Sequence, residues 1–271
     1  MTMPTETMPP PAGVGADPAA DALPAPRDDW ALFLDVDGVL VEIAERPDAV
    51  VVRPEAARAL TETAAALDGA VALVSGRPIA ELDRLFAPLV LPAAGLHGLE
   101  RRAHAGDPIE AVTDAVGLDA VREAAYAFAA DHDGVTVEDK RLSVALHYRR
   151  APGHGAAARA LAHRLARESS GRFAALDGKM VAELKPSGAD KGRAVVAFMA
   201  EPPFKGRVPV FVGDDVTDED GFAAVNRMGG ASLRVGPPPE GLAATAARWQ
   251  FPDVPAFHAW LTALPAALRS G

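Results

Sequence analysis

The sequence predicts an α/β chain: a doubly wound parallel sheet with helices on both faces, interrupted by a smaller α+β module. Three observations carry this. Short, continuously apolar runs such as "ALFLDV" and "VPVFVG" alternate with stretches of helical period, and strands apolar on both faces belong to parallel sheets covered on both sides. Between about Ala105 and Leu184 the runs instead alternate apolar and polar residues, as in an antiparallel sheet with one wet face. The first apolar run ends in two carboxylates, Asp35 and Asp37, at the strand end where open parallel sheets place their sites.

The elements follow in order. Met1 to Asp28 is rich in Pro, Ala and acid. It has little to bury and is expected to be a disordered tail. It lacks the basic start and apolar stretch of a secretory signal. After Trp30, "ALFLDV" is a buried strand, "PEAARALTETAAAL" a helix with Pro54 in its first turn, "AVALVS" a strand, "PIAELDRLFAPL" a helix and "LPAAG" a short third strand. The pattern resumes with the helix "ADKGRAVVAFMAE", the strand "VPVFVG", the helix "TDEDGFAAVNRM", the strand "GASLRVG" and the last helix "VPAFHAWLTALPAAL". In between, two helices, "LDAVREAAYAFAADH" and "GHGAAARALAHRLARESS", alternate with two hairpins, "GVTVEDKRLSVALHYR" and "FAALDGKMVAELK". The expected layout is a core of residues 29–104 and 185–271 with a cap inserted at 105–184.

Composition narrows the function. The chain of 271 residues carries a formal net charge of −10 and is about half hydrophobic. That balance argues against nucleic acid and anionic membrane, which favour basic surfaces. With no cysteine, disulfides, thiolate catalysis and Cys-ligated metals are excluded. No apolar run reaches the roughly 18–20 residues needed to span a bilayer. A cytoplasmic monomer acting on a small molecule is the expectation.

Chemistry concentrates at strand ends and helix starts. In an extended segment Asp35 and Asp37 point to one side, and two like charges repel unless a cation or a chemical task needs them. The second strand ends in "SGR", with Ser75 and Arg77; "KPSGADKG" starts a helix at Lys191; "VPVFVG" runs into "GDDVTDED", with Asp214, Asp215 and Asp218. Converging carboxylates, a hydroxyl and an ammonium suit a hard divalent cation of the Mg²⁺ kind, bound through oxygen together with a phosphate. Asp35 is the candidate nucleophile on phosphorus and Asp37 the candidate acid and base. Ser75 and Lys191 are candidates to hold the phosphoryl oxygens. "GDDVTDED" is not a calcium loop, because aligning Gly221 as its glycine puts Val216 and Arg227 where acids are needed.

On the cap, Glu138 and Lys140 share one side of their strand. Leu142, Val144, Leu146 and Tyr148 form an apolar side opposite Arg141, Ser143, His147 and Arg149, and Glu183 shares a side with Lys185. If the apolar sides pack on the cap helices, the polar sides form a wet sheet suited to sugar hydroxyls; an ordinary solvated face is the other reading. His97 and Glu100 sit in a glycine-flanked loop ahead of the cap, which serves either binding or hinge geometry. Arg77 is a substrate ligand or the partner of a surface acid.

"DVDGV", the Ser of "SGR", Lys191 and "GDDVTD" together resemble the haloacid-dehalogenase superfamily of phosphohydrolases, and hence its Rossmann-like core. That resemblance implies Asp35 as nucleophile, Asp37 as acid and base, and Mg²⁺ held by Asp35, the Asp37 carbonyl and Asp214, with Asp215 and Asp218 in support. Val39 departs from the usual threonine, which implies tuning of the site. "LFLDVDGVLVEIAERPDAV", "VSGRP", "GLHGLE", "VEDKRLSVALHYR", "ELKPSGADKG" and "GDDVTDEDGF", in that order, are similar to one branch, the trehalose-6-phosphate phosphatases. The resemblance implies hydrolysis of trehalose 6-phosphate in trehalose biosynthesis, with Arg77, His97, Glu100, Glu138, Lys140, Arg149 and Glu183 as substrate ligands. The alternatives are a phosphatase for another phosphosugar or a glycosyl-phosphoglycerate, and a non-catalytic sugar-phosphate binder.

Overall fold

The computed structural model describes residues 23–43, 50–111, 116–239, 242 and 244–270. The elements in chain order are β1 (Trp30–Leu34), α1 (Pro54–Ala66), β2 (Val71–Val74), α2 (Ile79–Phe86), β3 (Ala93–Gly95), β4 (Glu100–Arg102) and β5 (Glu110–Ala111). Then come α3 (Leu118–Ala130), β6 (Thr136–Asp139), β7 (Val144–His147), α4 (Gly155–Glu168), β8 (Phe173–Gly178) and β9 (Val181–Pro186). The chain closes with α5 (Lys191–Met199), β10 (Val208–Gly213), α6 (Glu219–Arg227), β11 (Ala231–Val235), β12 (Trp249–Phe251) and α7 (Val254–Ser270).

The large sheet has the order β12-β11-β10-β1-β2-β3-β4-β5. It is parallel from β12 to β3 and antiparallel at β4 and β5. Every residue of β1, β2 and β11 is buried, so both faces are covered, as unbroken apolar runs require. Trp30 meets Trp260 of α7, while Phe33, three residues on and therefore on the opposite face, meets Phe198 of α5. α1 packs with α7 and α5 with α6. From β1 the chain winds outward to β2 and β3, and from β10 outward to β11 and β12. The β1/β10 junction is thus a topological switch point, where the strands' carboxyl ends open a crevice.

The second sheet, β6-β7-β9-β8, is antiparallel throughout. Val144 and Leu146 of β7 and Ala182 and Leu184 of β9 pack with Val121 and Ala125 of α3 and Ala158 and Leu161 of α4. The intervening residues point the other way, towards the crevice.

The layout departs from expectation at three places. β5 pairs with β4 in the large sheet, so residues 105–111 belong with the core and the cap's helices begin at Leu118. Leu23 packs on the core and Arg207 donates to the Asp28 carbonyl at 2.9 Å, so residues 23–28 are docked rather than part of a free tail; residues 1–22 lie outside the described residues. The edge strands β4, β5 and β12 have two or three residues each, too few to show a period.

Candidate active site

β1 delivers Asp35 into the crevice while its backbone is still paired, its N–H donating to Val212 O of β10 at 2.9 Å. The chain then turns tightly, with the Val36 carbonyl accepting from both Leu40 and Val41. Gly38 has φ +78°, and a Cβ there would overlap the Asp214 carboxylate. Only glycine permits that turn together with that approach. Val39 is fully buried.

Lys191 opens α5, whose N-cap is Asp190. Its ammonium is buried, 3.0 Å from Asp35 and 2.7 Å from Asp218. Asp218, fully buried, takes that ammonium on one oxygen and the N–H groups of Asp214 and Asp215, each at 2.9 Å, on the other. Ser75, fully buried at the end of β2, accepts from the Arg77 N–H at 3.2 Å. The Arg77 guanidinium grips Asp37 with two bonds of 2.7 Å.

The cap supplies the opposite wall. Glu183, nearly buried, accepts from Ser143 at 2.6 Å and Lys140 at 3.0 Å, and lies 3.6 Å from His97 Nε2 of the core. Lys140 also donates to the Gly76 carbonyl at 3.3 Å. Glu138 and His147 are 2.7 Å apart, and Arg149 donates to the Lys179 carbonyl at 3.3 Å. The half-exposed Lys179 ammonium reaches Asp214 at 3.1 Å. Core and cap enclose a cavity of about 240 Å³.

That cavity brings together all but two, Asp218 and Glu100, of the residues given a catalytic, metal or substrate role from the sequence; Arg141, Ser143 and Lys185 of the expected polar cap face do not line it. Asp35, Asp37, Ser75, Arg77, His97, Lys191, Asp214 and Asp215 line it from the core, and Glu138, Lys140, Arg149 and Glu183 from the cap. Asp218 lies beneath it. Glu100 is the correction: it does not line the cavity, and its buried carboxylate accepts the Ile79 N–H at 2.8 Å, at the start of α2. It satisfies a helix end that has no side-chain cap instead of facing a ligand. Lys179, not among the residues the sequence points to, also lines the cavity; it lies in the turn between β8 and β9, beyond the reach of strand alternation.

Electrostatics show what the site attracts. Burial, then the charges of Asp218, Asp214 and Asp37, push the Asp35 carboxyl well above its ordinary range against the pull of Lys191. Burial and Asp218 push Asp214 up to about 6. The cluster therefore holds more negative charge than its ammonium groups neutralise. Asp35, Asp214 and Asp218 each place an oxygen within 4.8 Å of the others. Asp218 has both oxygens engaged, so Asp35 and Asp214 are the carboxylates able to meet a hard cation, and the all-oxygen donor set fits one. On the cap wall, burial opposes ionisation of Glu183, but Lys140, His97 and Ser143 outweigh it and hold the carboxyl well below its ordinary range.

The trehalose-phosphatase family model matches residues 33–255. The chain belongs to the trehalose-phosphatase family. It is 44% identical over 241 residues to the trehalose-6-phosphate phosphatase of Escherichia coli K12, covering 89% of this chain and 88% of that one. It is 43% identical over 227 residues to a probable trehalose-phosphate phosphatase of Sinorhizobium fredii, covering 84% and 85%. Among solved structures, the C-terminal domain of the Candida albicans trehalose-6-phosphate phosphatase superposes with a TM-score of 0.78 over 89% of this chain and 93% of that one, at 20% identity. The fold is thus kept where most of the sequence has changed.

Proposed function

We propose that this chain is an Mg²⁺-dependent phosphatase that hydrolyses trehalose 6-phosphate to trehalose and phosphate, acting as a cytoplasmic monomer. The observation that carries the reading is the single cavity whose floor is the Asp35–Lys191–Asp218 cluster and whose roof is the Glu183–Lys140 pair of the cap. Phosphate chemistry and sugar recognition then face each other across one small space. Among the described residues no helix is long and apolar enough to cross a membrane.

Asp35 attacks phosphorus as the bond to the sugar oxygen breaks, giving an aspartyl-phosphate. Asp37 gives its proton to the departing alkoxide. It then takes a proton from the water that attacks the aspartyl-phosphate, releasing phosphate and restoring Asp35. Arg77 holds Asp37 through both its oxygens and so orients the carboxyl; one of the two bonds opens when Asp37 carries the proton. Lys191 and Ser75 bind the phosphoryl oxygens, and the start of α5 adds its partial positive charge. Asp35, the Asp37 carbonyl and Asp214 would hold Mg²⁺, which supplies the positive charge needed for a phosphate to sit among carboxylates. Glu138, Lys140, Arg149 and Glu183 grip sugar hydroxyls. His97 stands behind Glu183, and the cap's closure keeps water from the transfer.

Phosphate release across a panel of trehalose 6-phosphate, glucose 6-phosphate and a glycosyl-phosphoglycerate, with and without Mg²⁺, tests the reading. Preference for trehalose 6-phosphate that disappears without Mg²⁺ is expected. Preference for another member changes the substrate, and absence of release from all of them leaves a binding protein. A sedimentation profile checks the monomer.

A further inference from the structure

We propose that Arg234, which does not line the cavity, is a positioning residue that fixes Asp214 for the cation; this rests on the function proposed above. β11 reads "ASLRV" and is buried throughout. A guanidinium in such a strand is costly, and apolar packing would serve the sheet at least as well. Yet Arg234, 1% exposed, has all three nitrogens engaged. Nη1 donates to the Asp214 carbonyl, Nη2 to the Glu219 carboxylate, and Nε to the Thr245 hydroxyl at 3.3 Å. Its Cζ lies over the Phe222 ring, 5.4 Å from the ring centre. Glu219 is itself held by the Thr245 hydroxyl at 2.8 Å and the Ala246 N–H at 2.6 Å.

Together with Asp218 this clamps one peptide unit at both ends. Between Asp214 and Asp215, the carbonyl is held by Arg234 and the N–H by Asp218, while a second Asp218 bond holds the Asp214 N–H. With the amides on both sides of its Cα fixed, the Asp214 Cα–Cβ bond has one direction, and the carboxylate is left to choose only among the staggered rotamers about it. The forked guanidinium reaches the carbonyl and Glu219 simultaneously, whereas an ammonium is a point donor and satisfies them less well together. Arg234 therefore acts on the cation through Asp214, without touching either cation or substrate.

The test uses the full chain and measures Mg²⁺ affinity by titration calorimetry beside the Mg²⁺ activation curve. Arg234→Met should weaken Mg²⁺ binding about tenfold or more, the usual effect of losing a partner that orients a metal ligand. At saturating Mg²⁺ its KM for the phosphosugar should stay within about twofold of the parent's, since uniform substrate binding is untouched. Arg234→Lys should fall between Met and the parent, and it provides the same reading if the Met variant does not fold. Unchanged Mg²⁺ affinity in the folded variants overturns the proposal, as does a loss confined to phosphosugar KM. Asp214→Asn, measured in parallel, separates the two levels. If it weakens Mg²⁺ binding while the Arg234 variants do not, only the role of Arg234 fails. If Asp214→Asn also leaves Mg²⁺ binding unchanged, the cation site itself is misassigned.

Discussion

Replacing Glu183 by Gln tests whether the cap's roof is a recognition surface or an ordinary solvated face. The change keeps shape and an acceptor for Ser143 but removes the charge facing Lys140. At the observed 3.0 Å, two unit charges attract by roughly 5–6 kcal/mol at an effective dielectric of about 20. Desolvation of both groups offsets much of that, and removing one partner of a buried pair costs about 3–5 kcal/mol. Lys140 keeps the Gly76 carbonyl and the nearby Glu138 charge, so the lower end applies, about 3 kcal/mol. For a chain of this size that lowers the melting temperature by roughly 6–12 °C. The same carboxylate is the proposed partner of a sugar hydroxyl, worth about 1.5–3 kcal/mol when charged, so kcat/KM for trehalose 6-phosphate should fall about ten- to a hundredfold. A small aryl phosphate has no second sugar to grip and should lose little. The assay is a thermal melt beside phosphate release on both substrates. Equal losses on both substrates refute the recognition role, and an unchanged melting temperature refutes the buried pair. Combining Glu183→Gln with Lys140→Met should cost less than the sum of the two singles.

Three further outcomes follow from the same contacts. Asp35→Asn should abolish turnover, since an amide is no nucleophile here, and should melt no lower than the parent, because it relieves a carboxylate whose ionisation burial and Asp218 oppose; phosphate release within about tenfold of the parent would sink the nucleophile assignment. Burial, against the pull of the Glu183 carboxylate 3.6 Å away, holds the His97 pKa below its ordinary 6.5, so the neutral ring's contribution to stability is complete above pH 6.5 and is lost as pH falls through the lower folded value. His97→Gln should therefore soften the decline in melting temperature on the acid side of pH 6.5, and identical pH profiles would contradict this. A chain beginning at Asp29 should melt about 2–4 °C below one beginning at Leu23, through loss of Leu23 packing; equal melts would mean that the docked segment contributes nothing.

The site was largely legible because a parallel sheet concentrates polar residues where its strands end. Asp35, Ser75 and Asp214 interrupt apolar runs, and a carboxylate or hydroxyl there has nowhere to go but the crevice. Lys191 starts a helix, where a lone cation opposes the dipole; Asp35 and Asp218 are what hold it there. The cap's polar face followed from strand parity alone, since Val144 and Leu146 had to pack inward. Glu100 was not legible in this sense. Which backbone N–H a carboxylate serves depends on the tertiary approach of Ile79, and nothing local encodes that. Lys179 sits at a hairpin turn, where parity weakens. Arg234 was visible as the lone charge in "ASLRV" but was absorbed into a buried strand, because a strand assignment asks only whether most residues are apolar.

The contacts across the cavity explain how one small space can both choose a sugar and cut a phosphate ester. Lys140 donates to the Gly76 carbonyl, between Ser75 and Arg77. His97, beside Glu183, donates its backbone N–H to the Ser75 carbonyl at 2.9 Å. Lys179 reaches Asp214. Lys140 and Lys179 of the cap thus rest on the same peptide or carboxylate that carries a proposed phosphate or cation ligand, and His97 of the core links Glu183 to the Ser75 peptide, so movement of the roof pulls on the floor. Gly76 is where this coupling is tightest: a Cβ there would stand 2.7 Å from His97 Nε2 and drive the imidazole out of reach of Glu183. On the proposed function, a substrate lacking the second sugar leaves Lys140 and Glu183 satisfied by each other, with nothing to gain from closure. The disaccharide phosphate replaces that internal pair with hydroxyl contacts while the phosphoryl group meets Lys191 below. Selectivity then lies in the transition state as well as in binding, and it should appear in kcat as well as KM.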